Sequence, residues 1–444
     1  MPYGRGFMVG PEVVKSLEAD DPQIVGRYIR KYVNGRDLNQ KSREGYVIDL
    51  HGLGIDHVRA AYPRTYQYLL ENVKPERDSN PMDYRREKWW LFGRPGNQLR
   101  LGLAGLDRYI GTTETSRHRL FRFVDGGTSP DQKVRVVASP RAELLAGLSS
   151  RLHVLFALAR GGWQGVGNDP VYSHTTCFDP FPFPPAVDSE LPPSPLLRAQ
   201  RDRLRELGER LDAFRKQRLS EHVFLTMTGL YNALERLREI ENGCDVPPLS
   251  DAERDVHQAG LISVLKEIHD DIDRAVLAAY GWDDLIPELV GKPGATLPSL
   301  HKTDAQEKAE EELLSRLVTL NLERAAEEKR GLVRWLRPDY QIPKLGAKAP
   351  KEEAGETGML DIALPDVTER PKWPADGLEQ IRLVRDLLAK APAPMPPDAL
   401  ASVFDGRNTP TRRARIAQVL ETLVATGIAR PGQVEGQTRY FLPR

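Results

Sequence analysis

Cysteine is nearly missing from this sequence: 444 residues hold only Cys177 and Cys244. Two thiols cannot build a disulfide framework or a cysteine-rich metal cluster, and such sparing use fits a reducing, cytoplasmic setting. Long hydrophobic runs are missing too. No stretch approaches the ~20 apolar residues needed to cross a bilayer, and the N-terminus lacks a signal-peptide pattern, so no membrane partner is expected. Net charge is the third absence: 63 Lys and Arg stand against 63 Asp and Glu. A zero sum argues at first against a polyanionic partner, but distribution matters more than the total. Residues 1–185 carry 26 basic against 20 acidic side chains, and residues 85–141 carry twelve against five.

Several kinds of chemistry are also lacking. The glycine-rich run at residues 161–167 does not follow a strand and open a helix with the required spacing, so it fails as a nucleotide-binding fingerprint and reads as a loop. No His, Cys and Asp cluster has metal-ligand spacing. Glu352, Glu353 and Glu356 fall in a linker-like stretch where solvation explains them, so a nuclease centre is not expected.

What is present begins with size. At roughly 150 residues per domain the chain has room for two to four, and 40% hydrophobic content suffices for packed cores. The organising stretch runs from Tyr109 to Pro185. It opens on a basic, strand-like segment with Arg117, His118, Arg119 and Arg122. A strand follows at Val134, then a run over residues 144–159 that is apolar on most faces and predicts a buried helix. A proline–phenylalanine exit (Cys177-Phe-Asp-Pro-Phe-Pro-Phe-Pro-Pro185) can be neither helix nor central strand, because proline lacks the donor N–H.

Upstream, residues 11–17 predict a short helix, residues 24–35 end in an Asn-Gly turn, and residues 46–50 form a strand. Residues 55–72 predict an amphipathic helix interrupted at Pro63. Trp89 and Trp90 beside Arg85, Arg86 and Lys88 give the densest local mix of aromatic and basic groups. Either the rings stack on bases or one of them is core and the cations are solvated.

Beyond the proline-dense residues 182–195 the pattern turns to long amphipathic helices, near residues 196–214, 223–237 and 256–277. Gly331 and Pro338 bracket a turn bearing Arg334, Trp335 and Arg337. That turn either contacts phosphates or a catalytic domain, or anchors the helical part to the body. Residues 343–370 read as a flexible linker. The last module predicts helices at 378–388, 397–404 and 411–426, the third ending at Gly427, then a hairpin. Three helices and a wing is the winged-helix outline, with Arg412, Arg413 and Arg415 suited to phosphates. Such modules also dock proteins. The fold class expected is α+β: a mixed α/β domain at 1–185, a helical arm at 196–342, the linker, and a winged-helix-like module at 371–444.

Certain strings resemble a known family. Ser116-Arg-His-Arg119, Leu148-Ser-Ser-Arg-Leu-His153, Gly167-Asn-Asp-Pro170 with Tyr172, the phenylalanine–proline string, and residues 320–341 look like the target-recognition and helical half of MmeI-like type IIG/IIL SAM-dependent DNA methyltransferases and related phage-defence enzymes. The resemblance covers most of this chain but only the C-terminal half of the family. It implies DNA sequence reading within an adenine-N6 methyltransferase system of restriction–modification type. A methyltransferase needs a SAM-binding βα turn and an Asn/Asp-Pro-Pro-aromatic motif. The first is missing, and residues 168–172 are a near miss to the second, with an Asp intruding. The chain is therefore expected to hold no cofactor and no catalytic residues. S-adenosylmethionine would sit on a missing domain or a partner, a catalytic methyltransferase subunit.

The implied partner is double-stranded DNA. Arg117, His118 and Arg119 would lie near base edges or phosphates, with Arg122 in the same cluster. Arg is the usual reader of guanine, while Arg85, Arg86, Lys88 and Arg94 would neutralise phosphates. The alternative is a non-catalytic assembly subunit of a defence complex, using its helical arm and winged module for protein–protein contact.

Overall fold

The computed structural model describes residues 6–346 apart from 20, 21, 23, 42, 165–168 and 189–193, and residues 373–442 apart from 375, 392–394, 406–408, 426–428 and 435–436. It is an α+β structure of two compact units, Met1–Lys348 and Ala349–Arg444. Among the described residues helices dominate, with four small sheets. The expected linker at 343–370 falls largely outside the described residues, as do Gly167 and Asn168.

The first unit opens on a four-stranded sheet in the spatial order Met8–Val9, Tyr46–Ile48, Ile29–Val33, Ser129–Pro130. Its first three strands pair antiparallel, and Ser129–Pro130 adds in parallel. Asn34 does not close a turn here. Its side chain caps the helix Gly35–Asn39, and Asp37 returns the bond to the Asn34 backbone, a reciprocal arrangement that satisfies two otherwise orphaned N–H groups. The amphipathic segment is split as expected into Ile55–Ala61 and Pro63–Asn72, with proline tolerated at a first turn. Phe7, Ile24, Ile48, Leu69, Val73, Trp89, Trp90 and Phe92 fill the core beneath.

A second, antiparallel sheet has Arg108–Thr113 between Arg122–Asp125 and Val134–Val137. The single helix expected over 144–159 is two helices, Ala142–Ser149 and Arg151–Arg160, bent by 60°. Ser150 makes the break: its backbone is extended and its hydroxyl accepts the His153 N–H as an N-cap. Every residue of Ala142–Ser149 is buried. Phe181 and Phe183 of the proline–phenylalanine exit turn into the same core, packing on His153 and on each other. Among the described residues no single helix is long and apolar enough to cross a membrane; the bent pair passes by composition only, and it lies in this core.

Long helices follow at Pro195–Glu221, Met227–Glu241, Ile262–Tyr280 and Asp304–Lys329. The helix expected over 256–277 is instead two. Ser250 and Glu253 form a capping box on Asp251–Ala259, and Leu261 takes a left-handed φ of 45° before the next helix starts. Gly260 sits so close to Leu230 that a Cβ there would lie 2.5 Å from its methyl carbon. Leu148, Phe181, Leu207, Leu234, Ile268 and Leu313 share one continuous core. Residues on both sides of the proline-dense segment therefore pack as one body, where sequence had placed a boundary between a recognition domain at 1–185 and a helical arm at 196–342.

Gly331, with φ of 89°, ends Asp304–Lys329, and Pro338 starts the next helix, Pro338–Gly346. The turn between them is tied down by charge. Arg334 pairs with Glu327, and Arg337 donates to the backbone oxygens of Gly102 and Ala138. This is the anchoring role, carried by arginine more than by Trp335.

The second unit has helices Gly377–Lys390, Pro397–Ser402 and Pro410–Ala425, then an antiparallel hairpin, Arg430–Val434 with Gln437–Phe441. Val384, Leu400, Phe404, Ile416, Leu420 and Leu423 form its own core. The element order is the one expected, and the expected cap Gly427 lies outside the described residues.

Candidate nucleic-acid interface

The basic cluster of the organising stretch does not stay together in space. After strand Arg108–Thr113 the chain bridges to Val171 through Thr115, and Ser116 donates its N–H to the Pro170 carbonyl at 3.4 Å. It then runs without strand structure to Arg122. Arg117 is exposed.

His118 and Arg119 turn inward, which corrects their placement near DNA. His118 is 1% exposed, its ring nitrogens 3.0 Å from Thr296 Oγ1 and 2.9 Å from Asn232 Oδ1, and burial lowers its pKa. Arg119, 2% exposed, donates to Thr112 Oγ1, to the Thr113 carbonyl and to the Pro170 carbonyl, and lies over the Tyr172 ring. Burial without a carboxylate among these partners pulls its pKa down to about 10. Arg122 bends back onto the Leu38 carbonyl at 2.6 Å. Desolvation and then the neighbouring Arg215 charge bring it to about 10. His118 and Arg119 are buried and spent on these internal contacts, and Arg122 is turned back toward Leu38.

For the tryptophan pair the core reading of the two holds. Trp89 and Trp90 are 8% and 6% exposed, packed edge-on against each other, and Trp90 Nε1 donates to the Leu53 carbonyl at 2.9 Å. Neither ring is available as a base platform. Arg85 is half-buried, its Nε close above Gly93. Arg86 is held by Asp83 and by the Asn80 carbonyl. Lys88 is exposed with its ammonium 5.7 Å from the Trp90 ring centre, and Arg94 is exposed. Tyr172, from the near-miss motif, is 1% exposed and bonded to His153, so it cannot stack on an extruded base.

Arg117 has neighbours that sequence reading passed over. The cap at Asn34 fixes the helix Gly35–Asn39, whose Asn39 side chain donates to Ser116 Oγ at 2.9 Å. Gln40 donates to Thr228 Oγ1 at 2.9 Å, and Thr228 in turn donates to the Asn39 carbonyl at 3.2 Å. Three segments thus meet: the end of the helix Gly35–Asn39 with Gln40, the stretch at Ser116, and the start of the helix Met227–Glu241. On or next to them Arg36, Lys41, Arg43 and Arg117 are exposed, Arg43 standing 3.7 Å from Asp37. The available signal was compositional, since Lys31, Arg36, Lys41 and Arg43 are relieved only by Asp37 between residues 31 and 43.

In the second unit Arg413 and Arg415 are exposed at the start of Pro410–Ala425. Arg413 is 3.9 Å from Asp398, Arg415 donates to Gln380 at 2.9 Å, and Arg412 is half-buried. Elsewhere in the first unit a cleft of about 550 Å³ is lined by Phe178, Asp179, Phe183, Arg324 and Trp335. Among the described residues no group of three or more His, Cys, Asp or Glu could hold a metal ion.

No family model matches the sequence, and no curated protein does. Among solved structures, the type IIL restriction-modification enzyme MmeI, in complex with DNA, is similar at 16% identity and a TM-score of 0.46. The similarity covers 72% of this chain and 35% of that enzyme, so the chain spans about a third of its length. No residue role passes from it to this chain.

Proposed function

We propose that this chain is the DNA target-recognition portion of an adenine-N6 DNA methyltransferase system, of restriction–modification or phage-defence type, working in the cytoplasm. Methyl transfer and S-adenosylmethionine binding would belong to a catalytic subunit or domain outside this chain. The observation that carries the reading is the exposed set Arg36, Lys41, Arg43 and Arg117 on or next to converging, hydrogen-bonded segments. Cations fixed on a rigid scaffold meet phosphates at low entropic cost, and a guanidinium among them can reach a base edge. The methyltransferase part rests on the sequence strings alone.

The test is a gel-shift series of the full chain on duplex DNA at rising salt. Retention should weaken steeply, log affinity falling linearly with log salt. Selection from a randomised duplex pool should then enrich one sequence. Failure to retain duplex at low salt would overturn the reading.

A second reading, a docking subunit without DNA contact, has one observation in its favour. Val318 and Leu322, one turn apart on Asp304–Lys329, are 51% and 65% exposed. Duplex binding weakened by Arg117→Ala but not by Leu322→Ser would set it aside.

A further inference from the structure

The loop that joins Pro195–Glu221 to Met227–Glu241 carries two apolar side chains outward. Val223 is 76% exposed and Phe224 is 53% exposed, the ring set edge-on to His222 at 6.0 Å. They are held there by a firm base. Leu225 is buried, its N–H bonded to the His222 carbonyl at 3.0 Å, and Thr226 caps the next helix with Met227 buried beneath. The same loop touches the basic ones through Thr228, which is bonded to Gln40 and to the Asn39 carbonyl.

A second exposed aromatic group is carried by a hairpin bonded to the Arg117 segment. Trp163, 44% exposed, stands opposite Pro170 in the hairpin Gly162–Gln164 with Asp169–Val171. That hairpin is joined to the Arg117 segment by Thr115 with Gln164 at 3.0 Å and by Ser116 with Pro170.

Scattered exposed hydrophobics are ordinary on a protein surface. A presented Val-Phe tip on a loop hydrogen-bonded to a cation-bearing segment is a different arrangement, because it combines phosphate attraction with groups that gain only where water is excluded. We propose that Val223 and Phe224 are a wedge that enters a double helix between base pairs and kinks it, with Arg36, Lys41, Arg43 and Arg117 gripping the phosphates on either side. The occupant is duplex DNA, favoured over an apolar protein face by charge complementarity. Base steps are unstacked by such side chains at a cost offset by the added contact with bent DNA, and flexible pyrimidine–purine steps yield most readily.

This proposal rests on the DNA-binding reading, and the experiment separates the two. A duplex of about 30 base pairs, labelled at its ends for energy transfer, is titrated with the full chain at low salt. The wild type should bring the ends together on binding. The double variant Val223→Ser/Phe224→Ser, changed only at exposed positions, should bind about tenfold more weakly and leave the duplex straight, with its salt dependence unchanged. Lys41→Ala should lower the salt slope by about one and still bend the duplex. Full bending by the double variant overturns the wedge while leaving DNA binding intact. No binding by the wild type overturns the underlying reading as well. If sedimentation without DNA shows that the wild type self-associates through this tip and the double variant does not, the tip is a protein contact and the wedge is overturned.

Discussion

Arg119 and Pro170 are joined by a buried hydrogen bond, guanidinium Nη2 to carbonyl oxygen at 2.9 Å, between positions 51 residues apart. The same guanidinium reaches Thr112 and Thr113 at the end of the central strand. One cation thus ties the middle of a sheet to the hairpin segment beside it. Arg119→Ala should cost about 3 kcal/mol or more, because several buried oxygens lose their donor together and a cavity is left. The midpoint of urea unfolding measures it. A midpoint equal to that of the wild type would show that the tie carries no stability.

Two residues earlier the expectation reverses. Arg117 is exposed, and Arg117→Ala should leave the unfolding midpoint within about 0.5 kcal/mol of the wild type. On duplex DNA it should weaken binding and lower the slope of log affinity against log salt by about one. Neighbouring arginines at positions 117 and 119 are thereby separable, one acting on affinity and the other on stability. An unaltered salt slope in the position-117 variant would remove Arg117 from the interface.

Much of the architecture was legible in the sequence, because apolar spacing reports which face an element buries. The strands at Tyr46 and Val134, the break at Pro63, the turn between Gly331 and Pro338, and the three helices and hairpin of the second unit all follow from local pattern. Breaks set by one residue's backbone were not legible: Ser150 divides the buried helix with an extended backbone and a cap on His153, and Leu261 divides another with a left-handed φ. The site was the least legible part. A run of arginines reads as a surface because charge is costly to bury, yet Arg119 and Arg122 donate to backbone carbonyls that no sequence pattern announces. Trp89 and Trp90 stayed open between platform and core for the converse reason, since cations flank a core aromatic pair as readily as an exposed one.

Glycine gives a test of whether the two sides of the proline-dense segment form one body. At Gly208 of Pro195–Glu221 an added Cβ would lie 2.1 Å from the Ala142 carbonyl oxygen and 2.8 Å from its carbon, both main-chain atoms that cannot swing away. At Gly147 of Ala142–Ser149 the nearest atom would be a Phe183 ring carbon at 3.8 Å, an ordinary contact. Gly208→Ala should therefore force the helices apart and destabilise by about 3 kcal/mol. Gly147→Ala should be neutral or stabilise by up to about 1 kcal/mol through helix propensity. Equal midpoints in thermal unfolding would mean that the two helices do not approach as closely as described.

Acid should unfold the first unit through its buried imidazoles. His153 is enclosed by Phe121, Phe181 and Phe183, and burial followed by the nearby Arg119 charge brings its pKa down to about 3. Folded His153 then binds fewer protons than the unfolded chain between about pH 6.5 and about 3, so its contribution is present above pH 6.5 and is lost as pH falls through that window, at up to about 1.4 kcal/mol per unit. His118 and His269 are shifted in the same direction by burial. Asp273 opposes them. Burial lifts its carboxyl to about 6, so the folded state binds more protons than the unfolded between about pH 4 and 6, and its own contribution grows as pH falls. Burial lifts Asp179 and Asp188 in the same sense as Asp273, but it also lowers His51 and His174, so five imidazoles stand against three carboxyls and stability should fall below pH 6.5. His153→Gln should be less stable at pH 7.5, having lost the bond to the Tyr172 hydroxyl, yet should show a shallower decline toward pH 4.5. Urea unfolding at unit pH steps compares the slopes, and a slope as steep as that of the wild type would mean that His153 is not part of the acid response.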